Sequence, residues 1–356
     1  MARGGPAFPM ASLWSQIPQP SAPPLAFPSP TIHAAEVARG TVLRYDGQEM
    51  EMTVLGPDAA RLNVGNYYAL ERVLKNSIFG CVYHVTRVVR PSGQGEDVFR
   101  QVVPIQEFAV KVYDRGKISS MRGQTQENPF NEISAMQFVF LDGGHVNVIR
   151  QVECLMDRIA VYSVLEFCKG GELYDVVDEL TSSGRTMGEV LARRLFVQIM
   201  LGLQHLHKHG VAHRDMSLEN VLLLEDGTCK IIDLGMCLQM NGPLPMPNQV
   251  PCGKKNYIAP EILAQVSPFS PIQADMWGAG IILFILLTGL PLCEFALDLD
   301  PRFRMVRNGQ LDGLLTSWGF TELSLGCVDL LKRMLQVNPS DRPTAGETLQ
   351  HPWVIG

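Results

Sequence analysis

The stretch Val211 to Gly235, VAHRDMSLENVLLLEDGTCKIIDLG, constrains the fold of this chain more than any other. It holds two aspartates, Asp215 and Asp233, an asparagine, Asn220, and an Asp-Gly turn between two apolar runs, which is the pattern of a chain that reverses tightly between strands. Asp233 closes the second run, so a carboxylate stands at the end of an apolar strand, as a ligand for a hard divalent cation must. Asn220 offers an amide oxygen of the same hard-donor type. Asp215 follows His213 and Arg214 and is the candidate acceptor for a hydroxyl proton.

The rest of the chain offers room for such a site. Its 356 residues, 46% of them hydrophobic, suffice for one large core or two lobes sharing a cleft. A net charge of -6 and no dense run of Lys or Arg exclude a general nucleic-acid-binding field. Eight cysteines without a Cys-x-x-Cys pair fit reduced thiols and an intracellular, cytoplasmic location better than a disulfide framework or a cysteine zinc site. The N-terminus lacks the uninterrupted apolar core of a secretory signal, and no lipidation signature is present. The longest apolar run, Gly278 to Leu292, is broken by Gly and Pro and reads as a buried helix, so no membrane partner is expected.

Residues 1–30 hold eight of the 24 prolines and read as a disordered tail, more a linker than a ligand for a groove-binding partner domain. Residues 31–66 form an N-terminal extension of uncertain structure. From Tyr67 strand patterns take over: YYALERVL and CVYHVTRVV form a hairpin around KNSIFG, and EFAVKVYD is a third strand with one lysine in an apolar setting. NPFNEISAMQFVFL has helical spacing with Pro129 in its first turn, and two further apolar runs complete a small lobe of about five strands and one helix. Beyond Gly171 helical periodicity dominates, with Leu191, Leu195, Ile199, Leu203 and Leu206 along one face. The histidines of LHKHG, His205, His207 and His209, read as surface or capping imidazoles rather than metal ligands.

Moving a phosphoryl group requires that phosphates be held, their charge neutralised, and the accepting hydroxyl aligned beside a carboxylate. FAVKV, VLEFCKGGEL, HRDMSLEN, DLG, YIAPE, DMWGAG and DRPTAGETLQHPW occur in order between Tyr68 and Val354. In this order they resemble the eukaryotic protein kinase domain, most closely the calcium/calmodulin-dependent and energy-sensing group of Ser/Thr kinases. The resemblance implies an α+β bilobal fold over residues 67–355: a β-rich small lobe over 67–166, a hinge at 166–171 and a helical large lobe over 172–355. It implies ATP and Mg2+ as cofactors and a protein with a Ser or Thr acceptor as substrate. It nominates Lys111 for the α and β phosphates, Glu132 as its ion-pair partner, Asp215 as the catalytic carboxylate, and Asn220 and Asp233 as magnesium ligands. Leu74, Gly80, Val82, Ala109 and Leu222 are implied around the nucleotide, with Leu165 as gatekeeper and the backbone of Glu166 and Cys168 bonding adenine. Glu261 is implied to pair with Arg342.

Three departures bear on function. The phosphate loop KNSIFGCV keeps only Gly80 and Val82 of the family's pattern, with Lys75 and Ser77 at the first two glycine places, which limits backbone approach to phosphate. Ser217 stands where Ser/Thr members usually place a lysine, while PCGKKNYIAPE puts Lys254 where they place a threonine. An exchange is therefore expected, in which Lys254 brings its ammonium beside Asp215 and Ser217 supplies the hydroxyl; two independent losses are the alternative. Residues 236–256 contain no Ser, Thr or Tyr, so no phosphate within this loop can pair with Arg214. An active Ser/Thr kinase is the reading favoured over a pseudokinase scaffold that binds nucleotide weakly, because Lys111, Glu132, Asp215, Asn220 and Asp233 are all present.

Overall fold

The computed structural model describes residues 26–44, 46–57, 66–91, 98–240, 252–266 and 269–356. The expected tail lies outside these up to residue 25, as do residues 241–251 of the segment without hydroxyls. The small lobe is built from β1 (His33–Leu43), β2 (Glu49–Pro57), β3 (Tyr67–Asn76), β4 (Gly80–Val89), β5 (Val98–Gln101), β6 (Glu107–Asp114), β7 (Gln151–Met156) and β8 (Ala160–Glu166). Helices α1 (Arg115–Ser120) and α2 (Pro129–Val139) stand between β6 and β7. The strands form one sheet in the order β2-β3-β4-β5-β1-β7-β8-β6, and the further pairings β1–β2 and β4–β6 close it on itself.

Five strands were expected and eight are present, because residues 31–66 supply β1 and β2 and the connection before β6 supplies β5. Alternation along β3 explains how the sheet encloses two cores. Tyr67 and Ala69 face one core with Val42, Met52, Val54, Val88 and Phe99, while Tyr68 faces the other with Leu55, Val85, Val110, Leu155 and Val164. The expected boundary at residue 30 also moves. Phe27 is buried and meets Phe138 edge-on at 5.8 Å, and Thr31 exchanges two backbone hydrogen bonds with the Gln137 side chain, so residues 27–31 lie against α2.

The large lobe follows a short strand β9 (Gly171–Glu172) and comprises α3 (Leu173–Ser182), α4 (Glu189–Lys208), β10 (Val211–Ala212), β11 (Val221–Leu223), β12 (Cys229–Ile231), β13 (Leu238–Gln239), α5 (Pro260–Leu263) and α6 (Pro271–Thr288), with five shorter helices after them. Helix α6 is closed at its start by the Ser270 side chain and Pro271 and at its end by Gly289 with φ 72°. Beyond Asp275 it is apolar on every side because it is the axis of the lobe. Among the described residues it is the one helix long and apolar enough to cross a membrane by length and composition, and 83% of it is buried inside the protein. Along α4, Leu195, Ile199, Leu203 and Leu206 are buried, each contributing roughly 1.5–3 kcal/mol. Leu191 is instead 43% exposed, since it falls in the first turn beside the exposed Val190, outside the packed face.

Candidate active site

The cleft between the lobes has a volume of about 630 Å3 and is lined from both sides. From the small lobe, β6 delivers Lys111, and α2 delivers Glu132 in its first turn. The Asn128 side chain caps α2 by accepting from the amides of Phe130 and Asn131, which fixes where Glu132 begins its reach. Lys111 Nζ lies 2.8 and 3.0 Å from the two Glu132 oxygens and 3.4 Å from Asp233 Oδ1. Burial opposes the Lys111 charge, but Glu132, Tyr113 and Asp233 outweigh it and hold its pKa well above the ordinary value. Burial pushes Glu132 up to about 7 against the pull of Lys111. Asp233 is only partly buried; desolvation works to raise its carboxyl, yet Lys111, His213 and the Gly235 amide keep it below the ordinary range. Lys111 and Glu132 are therefore mutually dependent, and removing either leaves the other buried without its closest partner.

The large lobe supplies the opposing groups from a strained loop. Arg214 (φ 68°) and Asp233 (φ 64°) both adopt the left-handed region, which non-glycine residues adopt only where surroundings enforce it. Asp275 of α6 enforces the first: its carboxylate accepts from the amides of His213 at 2.8 Å and Arg214 at 2.7 Å. His213, wholly buried, donates from Nε2 to Ile232 O at 2.8 Å and accepts the Asp215 amide at Nδ1, tying the loop to the strand that ends in Asp233. β11 and β12 pair antiparallel, Val221 against Ile231, so Asn220 and Asp233 emerge at the same end of one hairpin. Asn220 donates Nδ2 to Asp215 Oδ2 at 2.8 Å and to Asp215 O at 2.7 Å, which commits its amide nitrogen and leaves its oxygen for other partners. An amide oxygen and a carboxylate lining one cleft are the donor set that Mg2+ accepts.

Leu74, Val82, Ala109, Leu165 and Leu222 line the apolar part of this cleft, and Glu166 and Cys168 line its back. The Cys168 thiol is buried and pushed up to about 12, first by burial and then by Glu166, so it is an inert thiol. Gly80, expected at the nucleotide, lies outside the lining. A Cβ there would sit 2.2 Å from Val112 O, so this glycine serves the close pairing of β4 with β6. Lys75 does line the cleft, but its ammonium is paired with Glu172 across the mouth.

Lys254 and Ser217 are brought together. Lys254 Nζ donates to Ser217 Oγ at 2.7 Å and lies 3.6 Å from Glu219 Oε2, while its backbone amide donates to Asp215 Oδ1 at 3.2 Å. Gly253 makes that approach available: it has φ 95°, and a Cβ would stand 3.0 Å from Arg214 O and 3.3 Å from Asp215 Oδ1. Burial raises the Asp215 pKa above the ordinary value, and Lys254, His213 and Asn220 pull it back. Arg214 donates to Met236 O at 3.3 Å, so backbone from the loop beyond Asp233 meets the guanidinium. Sequence reasoning assigned no role to Asp275 or Gly253. The signal for Asp275 was its place in DMWGAG, but a positioning carboxylate is visible only once α6 crosses behind the loop.

The chain matches the family model for the protein kinase domain over residues 92–354. It is 32% identical over 297 residues to CBL-interacting protein kinase 20 of Oryza sativa subsp. japonica, covering 80% of this chain and 57% of that protein. It is 32% identical over 300 residues to calcium-dependent protein kinase SK5 of Glycine max, covering 82% and 52%. Serine/threonine-protein kinase DCLK2 of Mus musculus is 33% identical over 253 residues, covering 70% of this chain and 31% of the relative. The chain thus spans about half the length of the plant relatives it matches. With a β-rich small lobe, a helical large lobe and a cleft that gathers Lys111, Glu132, Asn220 and Asp233, the chain belongs to the protein kinase domain family.

Proposed function

We propose that this chain is a protein serine/threonine kinase that transfers the γ-phosphoryl group of ATP to a Ser or Thr hydroxyl of a protein. The observation that carries the reading is the Lys111–Glu132 pair with Asp233 beside it, in the same cleft as Asn220, itself bonded to Asp215. In this reading Lys111 holds the α and β phosphates, and Glu132 keeps its ammonium aimed into the cleft. Asn220 and Asp233 hold Mg2+, which when bound neutralises phosphate charge. Leu74, Val82, Ala109, Leu165 and Leu222 sandwich the base, with backbone groups of Glu166 and Cys168 fixing its edge. Asp215, held by the Asn220 and Lys254 amides, orients the hydroxyl and accepts its proton. Lys254 places positive charge beside Asp215 where Ser217 offers none. Positioning and charge neutralisation supply nearly all of the rate in such a transfer, so a site with these parts in place needs no covalent step.

The eight free cysteines, six of them buried, favour an intracellular location, which fractionation of the native protein checks. The reading is tested by transfer from Mg-ATP to a degenerate Ser/Thr peptide library, comparing the chain with Asp215→Asn. The expected outcome is transfer that falls at least about a hundredfold in the variant. No transfer by either protein, with nucleotide still bound, overturns it in favour of a scaffold.

A further inference from the structure

Away from the cleft, the C-terminal end of α4 places His205, in its last turn, and His209, its C-cap, with ring centroids 4.4 Å apart. Asp142 reaches them from the turn that follows α2. One ligand atom from each of the three side chains lies within 4.8 Å of the others. The hydrogen bonds around the rings decide which nitrogens are available. His205 Nε2 stands 2.8 Å from Val139 O, and His209 Nδ1 stands 2.9 Å from His205 O. A carbonyl oxygen only accepts, so both of these nitrogens carry protons. His205 Nδ1 and His209 Nε2 are left to hold lone pairs unless the rings are doubly protonated.

That leaves two acceptors facing each other, since His209 Nε2 lies 3.2 Å from Asp142 Oδ2. Two acceptors hold that distance only with a cation between them, either a proton or a metal. A nitrogen and an oxygen bound tetrahedrally to one zinc-like ion at roughly 2.1 Å stand about 3.4 Å apart, close to the observed separation. Imidazoles whose outer N–H is fixed on a backbone carbonyl are the usual form of a metal-bound histidine, because that bond sets the tautomer and the ring orientation. Phe138 meets the His209 ring edge-on at 6.1 Å, and His145 stacks on His205 at 5.3 Å, so the rings are held in place before any ion arrives. Asp142 is exposed and gives an ion a route in.

We propose that Asp142, His205 and His209 form a divalent-cation site of the zinc type, with its fourth position open to water. Two imidazoles and one carboxylate select a borderline late first-row ion over magnesium or calcium. The ion joins the turn after α2 to the last turn of α4, in addition to the bond from His205 to Val139 O. It therefore fastens the helix that carries Glu132 to the large lobe. The site stands on its own geometry and does not depend on the transfer reaction proposed above.

The test uses the full chain stripped with chelator and titrated with ZnCl2 by calorimetry, and with Co2+ followed by absorption. One equivalent is expected to bind, with visible ligand-field bands and without the near-ultraviolet charge-transfer band of a thiolate. His209→Gln and, at an exposed position, Asp142→Asn are each expected to weaken binding at least about tenfold, with circular dichroism checking that each variant keeps the fold. Binding unchanged in both variants places the metal elsewhere, a thiolate band places it on the cysteines, and either overturns the proposal. No binding by the unaltered chain overturns it as well, leaving an imidazolium–carboxylate ion pair.

Discussion

Lys254 is a side chain whose charge has two possible uses, and the pH dependence of turnover separates them. Its Nζ donates to Ser217 and its amide to Asp215, in a pocket where burial already raises the Asp215 pKa. The ammonium lowers that pKa and favours the ionised carboxylate that accepts a proton. Replacing Lys254 with Met removes this pull, so the folded Asp215 pKa rises further and the acid limb of kcat/KM moves to higher pH. On the plateau above the limb, turnover is expected to fall by more than about tenfold, or 1.4 kcal/mol. Lys254→Arg keeps the charge and is expected to leave the limb where it was, and Ser217→Lys with Lys254→Thr is expected to recover part of the loss. Turnover and limb both unchanged in Lys254→Met would show two independent losses with a solvated lysine. The residues of this site were legible because HRDMSLEN and DLG are short polar motifs at the ends of apolar runs. Their contacts were less so: nothing near Lys75 in the sequence indicates that Glu172 pairs with its ammonium, or that β6 approaches Gly80 too closely for a side chain.

At the scale of elements, what escaped the sequence is the lower half of the small lobe. β1 pairs in parallel with β5 and with β7, Thr41 against Val98 and His33 against Leu155, so its register is set by segments far along the chain. β3 and β4, joined by a short loop, carry their pairing in local alternation and were readable. The segment before β1 matters for the same reason. Phe27 is buried against Phe138, and Gln137 bonds both backbone groups of Thr31, so α2 is braced from a side that no motif marks. Phe27→Ala leaves a hole at this contact and is expected to cost about 3 kcal/mol, the low end for a buried phenylalanine. Denaturant titration of the full chain measures it. A loss below about 0.5 kcal/mol would show that residues 27–31 rest on α2 without supporting it.

Over the whole molecule, one buried ion pair connects segments that the chain keeps far apart. Arg342 donates from Nη1 and Nη2 to the two Glu261 oxygens at 2.7 and 2.6 Å, and both side chains are almost wholly buried. The guanidinium also donates to the carbonyls of Gln273, Gln336 and Val337 and lies 5.2 Å over the Trp277 ring, so every face of it is used. Glu261 belongs to α5, just after the loop that carries Lys254, and Arg342 follows the helix Leu325–Met334, so the bond sets where the catalytic loop's neighbour meets the C-terminal helices. Desolvating two charges offsets most of their attraction, which makes the pair a poor source of net stability but a costly one to break singly. Arg342→Leu strands a buried carboxylate and removes three carbonyl partners, and is expected to cost about 3–5 kcal/mol, a large part of the 5–15 kcal/mol typical of a folded domain. Glu261→Leu combined with Arg342→Leu removes both charges and is expected to cost less than Arg342→Leu alone. Equilibrium unfolding of the two single variants and the double variant gives the coupling directly. Additive losses would mean that Arg342 acts through its backbone carbonyls and the indole rather than through Glu261. A double variant more stable than either single one places the specificity of this junction in the charge pair, and its stability in the apolar lobe packed around it.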